Sequence, residues 1–321
     1  MQRGSTIEKL PVGKDAQRAA LENARKALGS IILGKDRQIA LALSCLLARG
    51  HLLIEDLPGL GKTILAQSLA TVLGLSFCRI QFTSDLLPAD IVGVSVFRKD
   101  SGEFEFQPGP IFSQLVLADE VNRATPKAQS ALLEAMEEQQ VSVDGTTRAL
   151  PEPFFVVATQ NPADQIGTFP LPESQLDRFL MRLELGYPDE ASERELITGD
   201  DRREMLRNID AATSPEVLQA LQQSAARVRM SEPLLDYIQA LVRQTRESPH
   251  IEIGLSPRGA QALAAAAKAY AFVEQHSGVY PDDVQEVFAS VAGHRLKPAG
   301  NTNFRSAAEL CQHVLDSVDI P

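Results

Sequence analysis

Cysteine is scarce in this 321-residue chain: Cys45, Cys78 and Cys311 are an odd number, with no C-x-x-C pair and no zinc-type spacing to a histidine cluster. A disulfide framework is excluded, and free thiols in a reducing compartment are expected. Cys311 and His313 stand two residues apart, a pair that lacks the second set of ligands a structural metal needs. Long apolar runs are missing as well. The longest, residues 39–48, is broken by Ser44 and is too short to cross a bilayer. The opening stretch MQRGSTIEKLPVGKDA has no apolar core of the signal-peptide kind. A cytoplasmic protein with no direct membrane insertion is the expectation. Basic charge is in deficit, with 31 Lys and Arg against 42 Asp and Glu and a net charge of -11. Such a balance repels a phosphate backbone unless a local basic face overrides it. Internal repeats and low-complexity tracts are also absent.

The chain is long enough for two domains with proper cores, and its 44% hydrophobic and 23% charged residues are those of a globular protein. Its first half alternates short apolar runs with amphipathic helical patterns, as in a parallel sheet covered on both faces. The candidate strands are HLLIED (51–56), FCRIQF (77–82), QLVLAD (114–119), FFVVAT (154–159) and FLMRLEL (179–185). Between the first two, Ile64, Leu65, Leu69, Val72 and Leu73 recur at helical spacing, and Gly74 is placed to stop the helix. After the third, Thr125 can cap a helix whose first position is Pro126. Beyond Tyr187-Pro188 the alternation ends. Ser214, Ser231 and Ser256 precede helical patterns, and two more helices follow, so everything after residue 187 reads as helical. The expected organisation is a tail (1–14), an α/β domain (15–187) and a helical domain (188–321).

The chemistry concentrates in EDLPGLGKT, residues 55–63. A phosphate-binding loop reads G-x-x-x-x-G-K-[ST], and here Asp56 holds the first glycine position. Gly59 and Gly61 stand where backbone N–H groups must turn inward ahead of a helix N-terminus. Lys62 can reach outer phosphates, and the Thr63 hydroxyl can take a place on magnesium. Asp56 needs only to make a turn at the strand exit, and Asp tolerates unusual dihedrals. The expected partner of such a loop is an apolar strand ending in carboxylates, and QLVLADEVNR supplies it. Asp119 can hold the magnesium shell, and Glu120 can polarise a water for attack on the outer phosphate. Asn161, in ATQNP, can orient that water; the alternative is a plain Asn-Pro turn. Arg178, in SQLDRF, precedes the fifth strand, and spacing alone does not distinguish a surface ion pair from a working residue.

Taken in order, EDLPGLGKT, LADEVNRATPKAQSALLEAMEE, ATQNP, LPESQLDRF and LSPRG resemble the MoxR family of AAA+ ATPases over most of the chain, from about residue 32 to 296. In that family a loop lacking the first glycine is common. The resemblance implies a P-loop NTPase core with five parallel strands in the order 5-1-4-3-2, a C-terminal all-helical lid, and a hexameric ring binding ATP and Mg2+ between subunits. Position by position, Pro58, Gly59, Leu60, Gly61, Lys62, Thr63 and Ile64 correspond to the Walker A loop, and Asp119 and Glu120 to Walker B. Asn161 corresponds to sensor 1, Arg178 to an arginine finger reaching the neighbour's nucleotide, and Arg258 to sensor 2. Ile32, Leu33 and Gly34, in ILGK, resemble the segment that packs on adenine, although Ile32 and Leu33 could simply be core.

Two insertions fit the same clade, which includes magnesium-chelatase and replicative-helicase subunits. Residues 85–110 fall where the helix-2 insert belongs, and residues 140–150, with an Asp-Gly turn, read as the hairpin before sensor 1. In ring helicases these elements touch nucleic acid. Here residues 85–110 carry Arg98 and Lys99 against Asp85, Asp90, Asp100, Glu103 and Glu105, and the hairpin offers only Arg148. That balance favours a protein client over a nucleic-acid one. The resemblance further implies a partner with a von Willebrand factor A domain and work in complex assembly, enzyme maturation or metal-cofactor insertion. A nucleic-acid-dependent ring motor, a magnesium-chelatase-like motor subunit and a non-catalytic nucleotide-gated scaffold are the alternatives.

Overall fold

The computed structural model describes residues 14–162, 167–300, 304 and 306–320. The expected N-terminal tail falls outside them except at its last position, where the first helix starts. Along the chain, α1 (Lys14–Ile31) and α2 (Asp36–Leu47) lead to β1 (His51–Glu55), α3 (Lys62–Val72) and β2 (Phe77–Gln81). A short α4 (Pro88–Val92) opens into the hairpin of β3 (Gly93–Arg98) and β4 (Glu103–Pro108). Then come β5 (Leu115–Asp119), α5 (Pro126–Glu138), the hairpin of β6 (Gln140–Val143) and β7 (Thr146–Ala149), β8 (Phe155–Gln160), α6 (Glu173–Leu176) and β9 (Phe179–Leu183). The remainder is α7 (Glu190–Thr198), α8 (Arg202–Arg207), α9 (Pro215–Ala226), α10 (Glu232–Glu247), β10 (Ile251–Ile253), α11 (Pro257–Val273), α12 (Pro281–Ala292), β11 (Lys297–Pro298) and α13 (Ala307–Asp316).

Five strands pair in the order β2-β5-β8-β1-β9, all parallel. Numbered among themselves, they run 5-1-4-3-2 from the β9 edge, the order the resemblance implies. Side chains alternate across a strand, so each strand feeds two cores. Leu52 and Ile54 of β1 join Leu65 and Leu69 of α3 and Leu263 and Phe288 of the helical part. Leu53, between them, faces Val116, Ala118 and Leu132 on the other side. All three β1 side chains are fully buried, which is worth about 1.5–3 kcal/mol apiece relative to exposure. The helical part therefore shares its core with one face of the sheet.

Gly74 ends α3 at φ +67, and a Cβ there would meet the Thr213 carbonyl oxygen at 2.6 Å. Ser214 and Ser256 cap α9 and α11 by accepting from the Val217 and Gly259 N–H groups. Thr125 and Ser231 occupy N-cap positions without a side-chain cap bond, so there Pro near the helix start and tertiary packing set the boundary. The hairpin turn between β6 and β7 has positive φ at both Asp144 and Gly145, the backbone that twist-matched two-residue turns require. The helical part contains one element the sequence reading lacks, an antiparallel ribbon of β10 and β11, clasped by Lys297 and Glu252 at 2.9 Å. Three residues are too few for alternation to announce a strand.

Candidate functional site

The carboxyl ends of the parallel strands bring residues 56–63, Asp119, Glu120 and Asn161 together, where ligands of open α/β sheets bind. Gly59 and Gly61 adopt φ +86 and +90, and a Cβ at either would meet nothing within 4 Å. The loop thus needs glycine for its backbone and opens onto free space. Pro58 is exposed, whereas Leu60, Lys62, Thr63 and Ile64 are half-buried at the loop's exit into α3. The Lys62 ammonium donates to the Asp56 carbonyl and, at 3.1 Å, to that of Leu57. Burial pushes its pKa below the usual lysine value, and the carboxylates of Asp56, Asp119 and Glu120 oppose that shift.

Asp119 ends β5 with its side chain buried. One oxygen accepts from Arg79 Nε at 2.9 Å and Nη2 at 2.6 Å, and the other accepts from the Thr159 hydroxyl at 2.5 Å. The Thr159 oxygen in turn accepts the Glu120 N–H at 2.9 Å. Glu120 sits in the left-handed region at φ 57, and its Oε2 accepts from Gln81 Nε2 and Arg123 Nη1, both at 3.1 Å. Asn161 follows Gln160, whose carbonyl accepts the Asp56 N–H at 3.3 Å, so β8 delivers it beside the loop. Asp56 has no positive φ; its carboxylate instead accepts the N–H groups of Leu57 at 2.8 Å and Gly186 at 2.7 Å. The turn expected of Asp56 does not require an unusual backbone.

Arg178 and Arg258 lie elsewhere. Phe179, next to Arg178, is in register with His51 at the start of β1, so the strand's rise puts Arg178 roughly 15 Å from its own phosphate loop. Arg178 pairs with Glu137 at 2.7 Å, and Arg258 reaches the same carboxylate at 3.3 Å. Arg295, nearly buried, fixes the turn that carries Arg178: Nε bonds Asp177 at 2.6 Å, and its other nitrogens donate to the carbonyls of Asp177, Phe179 and Leu180. Ile32 packs partly into the core, Leu33 is half-buried, and Gly34 at φ +64 abuts the Ser192 and Asp189 side chains.

The residues present fit a magnesium nucleotide. Asp119 and the Thr63 hydroxyl are hard oxygen donors, and the loop offers open space ahead of a helix N-terminus.

The model of the ATPase family associated with various cellular activities matches residues 51–181, and the AAA lid domain model matches residues 243–314. YeaC of Bacillus subtilis, a protein named as uncharacterised, is 43% identical over 94% of this chain and 95% of its own. Chaperone MoxR1 of Mycobacterium tuberculosis is 40% identical, covering 88% of this chain and 77% of that one. This chain belongs to the MoxR family of AAA+ ATPases. A crystal structure from Cytophaga hutchinsonii, described as a candidate ATPase, superposes with a TM-score of 0.85 at 36% identity, covering 95% of this chain and 96% of that one. The fold is an AAA domain followed by a helical lid, and the chain is an ATPase.

In this MoxR-family chain, sequence reasoning missed Arg79, Gln81, Arg123, Glu137 and Thr159. Arg79 and Gln81 were legible in principle, because they stand two apart in an otherwise apolar strand and so share one face. Thr159 lies within the ATQNP motif, two residues from the Asn that drew attention. Nothing in the local sequence marks Glu137 among the acidic residues that end α5.

Proposed function

We propose that the chain is an ATP-driven, chaperone-like remodeller of protein complexes whose catalytic site is completed by a neighbouring subunit in a ring. The observation that carries this reading is the placement of Arg178 at the opposite end of β1 from its own phosphate loop. An arginine so placed can serve hydrolysis only on another copy, and Arg258, tied to the same Glu137, shares that edge.

Gly59, Gly61 and the N–H groups at the start of α3 receive the phosphates, and Lys62 leaves the Asp56 and Leu57 carbonyls to pair with them. Thr63 and Asp119 would hold magnesium, which when bound would neutralise charge on the phosphate oxygens. Glu120 takes a proton from the attacking water, which Asn161 orients, giving ADP and phosphate. Gln81 and Arg123 both hold Oε2 of Glu120 in this structure. Ile32, Leu33 and Gly34 flank the adenine side.

The client side favours protein. Arg98 is paired with Glu105 at 2.5 Å, and the Arg148 guanidinium lies over the Phe106 ring at 3.9 Å while donating to the Val143 and Thr146 carbonyls. Both basic side chains already have local partners, and Glu105 places a carboxylate beside Arg98 where a phosphate backbone would have to approach. The β3-β4 hairpin instead exposes Phe97 and Phe104, paired edge to face at 5.4 Å. A chaperone is also what the name of the Mycobacterium tuberculosis relative states. Assembly or metal-cofactor maturation of the client, with a von Willebrand factor A domain protein as helper, completes the proposal. The test is a pull-down with Glu120→Gln loaded with ATP: retention of a protein complex supports it. Strong, salt-sensitive stimulation of hydrolysis by DNA or RNA would instead select the nucleic-acid motor.

A further inference from the structure

We propose that Asp56 is a positioning residue that fastens the phosphate loop to the connector leading into the helical lid, so that the state of the nucleotide is transmitted to the lid through this one side chain. The inference rests on the reading of residues 56–63 as the nucleotide loop.

Every polar group of Asp56 is engaged. Its N–H donates to Gln160 O at 3.3 Å, its carbonyl accepts from Lys62, and its two carboxylate oxygens accept the N–H groups of Leu57 and Gly186. Its backbone is ordinary, so glycine would serve the turn as well. What glycine lacks is the carboxylate. Gly186, at φ +65, lies in the middle of the connector (184–189) between β9 and α7, whose N-cap is Asp189. The same connector is gripped from its other side, where Lys35 donates to the Tyr187 carbonyl at 2.7 Å and Gly34 abuts Asp189 and Ser192. Arg182 and Glu55, paired at 2.9 Å, clasp β9 to β1 just before both segments diverge. The connector therefore hangs between the phosphate loop and the ILGK segment.

Lys62 links this device to the phosphates. In this structure its ammonium rests on the Asp56 and Leu57 carbonyls. When it turns to a phosphate, the Asp56 backbone loses a cationic partner while its carboxylate still holds Gly186. A displacement of the loop is then delivered to Gly186 within the connector rather than absorbed locally.

Asp56→Gly restores the ordinary G-x-x-x-x-G-K-T loop and removes the tie to Gly186 together with the acceptor for the Leu57 N–H. Expected are ATP affinity and KM within about threefold of the parent and kcat lowered about tenfold, the scale of one charge-assisted hydrogen bond. Nucleotide-dependent hydrogen-exchange protection over residues 186–192 should vanish. Asp56→Asn, with one acceptor oxygen in place of two, should recover part of both effects and controls for folding. An Asp56→Gly variant with parental kcat and parental nucleotide-dependent protection of the connector overturns the coupling, provided Lys62→Ala abolishes ATP binding. If Lys62→Ala binds ATP as the parent does, the loop assignment itself fails, and this inference with it.

Discussion

Arg79 grips Asp119 with two donors on a single carboxylate oxygen, at 2.9 and 2.6 Å, across the register that pairs β2 with β5. The carboxylate proposed for magnesium is thus already charge-compensated, by a guanidinium whose side chain is 49% exposed. The guanidinium is therefore partly solvated, whereas the Asp119 carboxylate is buried.

With Asp119 holding magnesium as proposed, Arg79 competes with the cation for the carboxylate. Arg79→Gln should therefore lower the magnesium concentration needed for half-maximal ATP hydrolysis by up to about fivefold, the equivalent of about 1 kcal/mol. Titration of magnesium at saturating ATP measures it; an unchanged or raised requirement contradicts it.

Arg295 has a nearly buried side chain, pairs with the half-buried Asp177 and donates to three backbone carbonyls around Arg178. Replacing it by Met removes the cationic partner of the half-buried Asp177 and leaves three carbonyls without that donor, which costs about 1–3 kcal/mol. Urea unfolding should register the loss. ATP hydrolysis should fall below that of the parent even at temperatures where the variant is folded, because the turn bearing Arg178 is no longer fixed.

His51 is buried between the Met136 carbonyl and the Val156 N–H, and burial lowers its pKa to about 4. The unfolded chain therefore binds a proton that the folded chain refuses between the ordinary histidine value of about 6.5 and that lowered value. Its contribution is fully present above about pH 6.5 and is lost as pH falls through this window, about 3 kcal/mol in all. His294, whose pKa is also lowered by burial, acts in the same direction. Unfolding midpoints measured from pH 7 to 4.5 should fall more steeply for the parent than for His51→Gln.

The sheet was legible because each of its strands is a short apolar run flanked by turn signals. Their observed bounds differ from the expected ones by one or two residues at most ends. The strand order came from resemblance, since pairing among parallel strands is a long-range matter that no local pattern encodes. The phosphate loop, Asp119, Glu120 and Asn161 were legible as motifs, and the structure assembles them at one sheet edge. The contacts that tune them were not. Arg79 approaches Asp119 from a strand 40 residues upstream, Thr159 bridges Asp119 and Glu120 from a third strand, and Glu137 joins arginines supplied by two distant segments. Such convergence depends on the fold, and the sequence shows only scattered polar residues.

The central claim is that one subunit's loop works with the next subunit's Arg178, and subunit mixing tests it most directly. Glu120→Gln lacks the base and Arg178→Ala lacks the finger, so each alone should lose ATP hydrolysis by about 10³-fold or more while still binding ATP. Mixed, the two form interfaces in which Glu120 comes from one variant and Arg178 from the other. A substantial recovery of hydrolysis on mixing is the predicted result. Two inactive proteins that stay inactive when co-assembled would contradict it.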